Sequence, residues 1–288
     1  MLKKLVVCGV GLIGGSFALG LKAAGAVGEV VGVGRTPAPL AEARRRGAID
    51  RVASDWADAL RDADLVLLAM PVGQMAPVLA ALAPHLAPET IVTDGGSTKC
   101  DVVAAARAVL GEKIAQFVPG HPIAGAEKSG VAAAQADLYV DRRVVLTPLA
   151  ENSGAGVGLV QRAWEACGAK VSRLAAEEHD RVFAAVSHLP HLLAFALVDS
   201  LAGQPASDEI FRCAAGGFRD FTRIASSSPE MWRDIAIANR DALLAELRVY
   251  RKQLERMEAM LAASDAQGLG TLFATAREAR NEWLAGQR

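Results

Sequence analysis

The chain has 288 residues, 52% of them hydrophobic, with 31 basic and 32 acidic side chains and a formal net charge of −1. That is enough apolar material for one large core or two modest ones. The charge balance argues against the basic surplus of a nucleic-acid binder and the acidic surplus of a solvating tail. Aromatic residues make up only 5%, so base-stacking platforms are not expected either. Cys8, Cys100, Cys167 and Cys213 form neither a CxxC pair nor a zinc-ligand spacing; they read as reduced core thiols of a cytoplasmic protein. Met1-Leu2-Lys3-Lys4 and the apolar run after it mimic a secretory signal, but Gly9, Gly11, Gly14 and Gly15 would weaken the helix a signal needs. No later stretch is expected to be long and apolar enough to span a bilayer, and no membrane partner is expected.

In chain order, residues 4–9 read as a short buried strand and residues 15–25 as a helix ending near Gly25. Val30–Val33 is a second strand, Leu65–Met70 a third closed by Pro71, and Ile91–Asp94 a fourth. Ala-rich segments with helical spacing, 38–46 and 74–86, lie between them. Alternation of this kind implies a parallel sheet covered on both faces. Val144–Thr147 and Lys170–Leu174 read as later strands of the same domain, with the Gly-rich stretch 153–158 opening the helix between them. From about residue 176 the strand-like runs stop, and helical segments take over at 177–202, 206–225 and 229–263. The expected architecture is α/β: a doubly wound, Rossmann-type parallel-sheet domain over residues 1–175, then an all-helical domain over 176–288. Leu243, Leu247, Tyr250, Leu254, Met257 and Leu261 alternate in steps of four and three. That is a seam spacing for another helix, within the chain or across a dimer, and periodicity does not separate the two.

Gly9-Val10-Gly11-Leu12-Ile13-Gly14 fits GxGxxG between a strand and a helix. Gly9 permits a tight turn, Gly11 lets a pyrophosphate approach the backbone, and Gly14 lets the helix pack close to the sheet. The helix N-terminus attracts the phosphates. An NAD site wants an acidic residue at the end of the second strand, to hold the ribose hydroxyls. Here the stretch reads Val33-Gly34-Arg35-Thr36. Without the carboxylate a 2′-phosphate meets no repulsion, and Arg35, followed by the Thr36 hydroxyl, pairs with it through charge-assisted bonds. The expected cofactor is therefore NADP, with NAD a lesser partner. Met70-Pro71 closes the third strand and belongs near the adenosine side or the bridging phosphates. Ser97, in the Asp94-Gly95-Gly96-Ser97 turn after the fourth, is placed to reach the nicotinamide or a substrate hydroxyl.

Three further segments are Gly120-His121-Pro122-Ile123-Ala124-Gly125, Ser187-His188-Leu189-Pro190-His191, and Gly216-Gly217-Phe218-Arg219-Asp220-Phe221-Thr222-Arg223. Taken singly, each has an ordinary structural explanation: a histidine before a proline, two histidines on one helical face, a solvated arginine. In this order, with the glycine turn and Asp94-Gly95-Gly96-Ser97, they resemble the prephenate/arogenate dehydrogenase family from Leu5 to about Arg251. The resemblance implies a helical C-terminal domain that forms a homodimer and an active site in the cleft between the domains. It implies that His121 hydrogen-bonds the ring C4 hydroxyl of the substrate and assists its deprotonation. Ser97 would position that hydroxyl and the nicotinamide, and Arg223 would grip a substrate carboxylate. His191 would lie at the substrate side chain, while His188 orients the helix or the pocket.

The implied chemistry suits these residue types. A ring alcohol with a carboxylate on the opposite ring carbon needs a base of near-neutral pKa and a planar cation, which histidine and arginine supply. No metal is expected. Prephenate and arogenate differ by a keto or an amino group; the resemblance associates His191 with prephenate-accepting members and the NADP-type turn with arogenate users. The expected activity is NADP-dependent oxidative decarboxylation of prephenate, with arogenate as a second substrate, on the route to tyrosine. Two rivals stay in view. A β-hydroxyacid type dehydrogenase would want a lysine in 177–202, where there is none. A non-catalytic NADP-sensing module would need the nucleotide motif but not His121, Ser97 and Arg223 together.

Overall fold

The computed structural model describes residues 1–125 and 130–286, and the chain falls into two compact units, Met1–Arg240 and Asp241–Arg288. The first unit is built on a six-stranded, wholly parallel sheet. Its strands are β1 (Leu2–Cys8), β2 (Val27–Val33), β3 (Arg51–Val52), β4 (Leu65–Leu68), β5 (Ile91–Asp94) and β6 (Phe117–Val118), in the spatial order β3-β2-β1-β4-β5-β6. The crossovers are α1 (Leu12–Ala23), α2 (Pro37–Arg45), α3 (Trp56–Leu60), α4 (Met75–Leu82) and α5 (Cys100–Leu110). Because side chains alternate across the sheet, Leu5, Val7, Leu65 and Leu67 join Phe17 and Trp164 in one core cluster. Val6, Cys8, Val66 and Leu68 join Leu79 and Phe117 in the other. Burial on both faces is why these strands read as unbroken apolar runs. The strand order reverses between β1 and β4, which opens a crevice beyond their carboxyl ends.

Val144–Thr147 and Lys170–Leu174 do form strands, but not in this sheet. β7 (Gly120–Pro122), β8 (Arg143–Leu146) and β9 (Lys170–Arg173) make a separate three-stranded sheet, with β7 antiparallel to β8 and β9 parallel to it. The helix α6 (Gly154–Ala166) joins β8 to β9, and Ser153 caps it by accepting the Gly156 N–H. Pro119, which has no N–H to donate, separates β6 from β7. Strands of two or three residues such as β3, β6 and β7 leave no periodic trace to read.

The helical stretch opens with α7 (Ala176–Phe183), a π turn (Ala184–His188) and α8 (Leu189–Ala202). Pro190 supplies no N–H to the carbonyl of Val186, so the ordinary ladder fails there and the wider turn takes over. Contrary to expectation, the continuous stretch Ala176–Ala202 is long and apolar enough to cross a bilayer by length and composition. It also carries Glu177, Glu178, His179 and Asp180 in its first turns and packs on α5. The expected helix 206–225 is broken at Cys213–Ala215 into α9 (Ser207–Arg212) and α10 (Gly216–Thr222), which a 3₁₀ turn (Arg223–Ser226) follows. The expected helix 229–263 is interrupted at Asn239, between α11 (Pro229–Ala238) and α12 (Arg240–Ala262). The unit Asp241–Arg288 consists of nearly all of α12 and of α13 (Ala266–Ala285), which Asp265 caps through the Gly268 N–H at 2.8 Å. Val249, Leu254, Leu261, Phe273 and Trp283 are exposed on these two helices. Of the cysteines, Cys8 and Cys167 are buried as expected, whereas Cys100 is half-buried and Cys213 is exposed.

Candidate active site

The turn between β1 and α1 shows three glycines with three different constraints. Gly9 has φ +87°, and a Cβ there would lie 2.6 Å from the Ala69 carbonyl oxygen. A Cβ on Gly14 would lie 2.5 Å from the Gly9 carbonyl oxygen and 2.6 Å from Val7 Cγ1. These two are required by the protein's own packing. Around Gly11 there is nothing within 4 Å, so the protein's own packing does not require its smallness. Gly11 is also the N-cap of α1, whose first turn has neither a capping side chain nor an acidic residue. Open space over bare helix N–H groups fits a dinucleotide's pyrophosphate.

Arg35 and Thr36 follow the end of β2, both exposed. Thr36 is the N-cap of α2, yet its hydroxyl makes no capping bond. An open groove of about 700 Å³ adjoins this turn, with Gly34, Leu40, Arg44 and Arg45 on its wall. A second cleft, about 560 Å³, lies at the crevice where the strand order reverses. Leu12, Ile13, Met70, Pro71, Ser97 and His121 line it, so six of the residues singled out in the sequence meet there. Its lining also includes residues the sequence did not suggest: Ser226, Ser227, Ser228, Met231 and Ile235.

His121 sits on β7, buried against the edge-on ring of His179 and against Phe183, with ring centroids 5.0 and 4.9 Å away. Its Nδ1 is 2.8 Å from His179 Nε2, and His179 Nδ1 is 2.8 Å from Asp180 Oδ1. Burial first, then the charges of His179, Lys99 and His188, hold the His121 imidazole well below the usual histidine range. It is thus neutral and able to accept a proton at physiological pH. Asp180 also accepts the backbone N–H groups of Lys99 and Cys100, each at 2.8 Å, at the start of α5. Burial pushes its carboxyl up, but the bonds from His179 and from these N–H groups more than offset it and hold it below the ordinary value.

Beneath the cleft lies a second buried cluster. Lys99 and Asp94 are fully buried and paired with each other. Lys99 Nζ also donates to the Gly120 carbonyl at 2.7 Å. Asp94 accepts from the N–H groups of Gly96 at 2.8 Å and Gly120 at 3.0 Å. This pair ties the turn bearing Ser97 to the strand bearing His121. His179, Asp180 and Lys99 were not singled out in the sequence. Lys99 sits two residues past Ser97, but nothing local marks it as buried; His179 and Asp180 read as the polar face of a helix start.

His188, His191 and Arg223 are not among the residues lining the cleft. His188 is buried, with its Nδ1 3.0 Å from the Asn239 amide nitrogen, which also donates to the Asp180 carbonyl at 2.8 Å. Burial takes its pKa down to about 4. His191 donates from Nδ1 to the Ser187 carbonyl at 2.9 Å and stacks on Trp232 at a centroid distance of 3.5 Å. Burial lowers its pKa, the Ser187 bond opposes that, and the charge of Arg223 adds to the lowering. Arg223 itself opens the 3₁₀ turn that leads to the cleft-lining Ser226.

Comparison with known families decides the identity. Residues 17–173 match the nucleotide-binding domain of prephenate dehydrogenase, and residues 175–275 match its dimerization domain. The chain belongs to the prephenate dehydrogenase family. It is similar to the cyclohexadienyl dehydrogenase of Zymomonas mobilis, with 37% identity covering 96% of this chain and 95% of that one. Among solved structures it is similar to the prephenate dehydrogenase of A. aeolicus in complex with hydroxyphenyl propionate and NAD+. That likeness has a TM-score of 0.91 and 36% identity, covering 98% of each chain. It is also similar to Synechocystis arogenate dehydrogenase, with a TM-score of 0.82 and 30% identity over 97% of this chain and 99% of that one. As a member of the prephenate dehydrogenase family it is an oxidoreductase that uses a pyridine nucleotide, in keeping with the open space over Gly11.

Proposed function

We propose that this prephenate dehydrogenase family member oxidises and decarboxylates prephenate with NADP, accepts arogenate as a second substrate, and serves tyrosine formation. The observation that carries the reading is a neutral, buried His121 on the wall of the cleft that also receives Leu12, Ile13, Met70, Pro71 and Ser97. Gly9, Gly11, Leu12, Ile13, Gly14, Met70 and Pro71 would hold the dinucleotide, which when bound supplies the hydride acceptor. His121 takes the proton of the C4 hydroxyl as the C4 hydride departs. Loss of CO2 then leaves an aromatic ring, and His121 returns the proton to the phenolate oxygen. Ser97, whose hydroxyl has no hydrogen-bond partner among the described residues, orients the reacting hydroxyl. Arg223 holds a carboxylate, His191 faces the side chain, and His188 supports the pocket from its buried place beside Asn239. Arg35, Thr36 and the arginines of the adjoining groove favour NADP over NAD.

We place the protein in the cytoplasm as a homodimer formed through the helices of 176–288. The match to a dimerization domain and the exposed apolar residues of α12 and α13 support the dimer. Formation of reduced nicotinamide at 340 nm, in all four pairings of prephenate or arogenate with NADP or NAD, tests the reading. Fastest turnover of prephenate with NADP is expected. Turnover of arogenate alone would overturn the substrate, and silence in all four would overturn the activity. Arg35→Ala is expected to weaken NADP about ten- to hundredfold while sparing NAD, consistent with one lost charge-assisted bond. Equal losses for both nucleotides would remove Arg35 from the 2′-phosphate.

A further inference from the structure

The His121–His179–Asp180 chain has a consequence for which nitrogen of His121 is the base. Asp180 is an ionised carboxylate held by two backbone N–H groups and by His179. A carboxylate only accepts hydrogen bonds, so His179 Nδ1 must carry a proton. If His179 is neutral, its Nε2 then bears a lone pair. The 2.8 Å contact from His121 Nδ1 to that lone pair requires the proton on His121 Nδ1. His121 Nε2 is left unprotonated, with no hydrogen bond among the described residues, on a side chain that lines the cleft. The competing arrangement makes His179 an imidazolium that donates from both nitrogens, which puts the His121 proton on Nε2 and disables it as a base. His179 is fully buried, and burial lowers its pKa. The Asp180 hydrogen bond and charge and the Asp94 charge oppose this, the Lys99 ammonium adds to it, and the balance falls below the usual histidine range, which disfavours a second proton.

We propose that His179 and Asp180 are positioning residues that hold His121 in its Nδ1-protonated tautomer, making Nε2 the atom that accepts the substrate's proton. Asp180 sets His179, and His179 sets His121, because the hydrogen bond at one ring nitrogen decides what the other can do. When Nε2 takes the proton, the imidazolium formed at His121 donates through Nδ1 to His179, whose other nitrogen donates to Asp180. The positive charge is stabilised along the chain, and no second proton needs to move. This role rests on His121 being the base, and its first test does not depend on the substrate.

Long-range 1H–15N correlation spectra of the full-length enzyme, with its histidines 15N-labelled, report the tautomer directly. His121→Asn identifies the resonance by its disappearance. The expected result is a protonated Nδ1 and a bare Nε2 on His121 in the resting enzyme at neutral pH. A protonated Nε2 overturns the proposal, whatever the substrate proves to be. If the tautomer is as stated but none of the four pairings turns over, the proposed activity fails and the tautomer assignment stands. In an active enzyme, His179→Leu removes the acceptor and is expected to lower kcat by about 10²–10⁴, as a wrong tautomer does elsewhere, with substrate KM within about twofold. His179→Gln keeps an acceptor oxygen and should restore kcat to within about tenfold of the parent. Equal kcat in the two variants, at equal thermal stability, would reduce His179 to a packing residue and overturn the proposal.

Discussion

The glycine turn and the histidine cluster sit within reach of one cleft, yet they are built in opposite ways. The turn is local: Gly9, Gly11 and Gly14 lie within six consecutive positions, and the constraints on two of them come from Val7 on β1, from Ala69 and Met70 just past β4, and from the turn itself. The cluster is assembled from three distant places, Asp94–Lys99 at the end of β5 and the turn beyond it, Gly120–His121 on β7, and His179–Asp180 on α7. A local device is legible because chain geometry imposes its spacing. An assembled one depends on burial and on partners that no short window contains.

The largest expected effect strikes the assembled region. His121→Asn should lower kcat by about 10²–10⁴, the usual contribution of a positioned acid–base group, with cofactor Kd unchanged by fluorescence titration. Retained turnover would remove His121 from the chemistry and leave the cluster purely structural. Next comes Lys99→Met, which strands the buried Asp94 charge and should cost about 3–5 kcal/mol in a urea titration. A further change of Asp94 to Asn should recover part of that loss. A Lys99→Met cost below about 1 kcal/mol would show that the pair does not anchor the cleft floor.

Acid should find the same cluster. Burial holds His121, His179, His188 and His191 below the ordinary value of 6.5. Below about pH 6.5 the unfolded chain therefore binds protons that the fold refuses, and stability falls with pH. For His188, whose pKa is about 4 in the fold, the loss reaches roughly 2 kcal/mol at pH 5 and levels off below pH 4. Urea midpoints at pH 7 and pH 5 measure it, and equal stability at the two would contradict neutral burial. The local region gives the smallest effect on stability. Gly11→Ala meets nothing within 4 Å, so its Tm should stay within about 2 °C while dinucleotide affinity drops. Gly14→Ala, facing backbone at 2.5 Å, should lose both. Equal Tm losses in the two variants would erase the distinction between a glycine kept for the fold and one kept for the ligand.

Along the chain, legibility follows the same division. The four long parallel strands could be read because burial on both faces demands apolar runs, and the glycine turn could be read because its spacing is local. His121 and Ser97 were legible only as members of an ordered set of motifs; a lone histidine before a proline names no role. His179 and Asp180 stayed hidden because a His-Asp pair beside Glu177 and Glu178 looks like the solvated opening turn of a helix. The break at Asn239 was equally silent; its side-chain partners there, Asp180 and His188, lie 59 and 51 residues away in sequence.

What the amino-acid order determined by itself is the doubly wound sheet and the glycine turn, which rest on periodicity and on spacings of a few residues, and the family, which rests on a resemblance carried by the order of motifs along the chain. What only the tertiary structure decided is the second sheet, the part of the cleft lining between Ser226 and Ile235, and the buried surroundings of His121. Those depend on which distant groups lose water together, and two carboxylates, two imidazoles and an ammonium acquire their roles only once they share a low-dielectric interior.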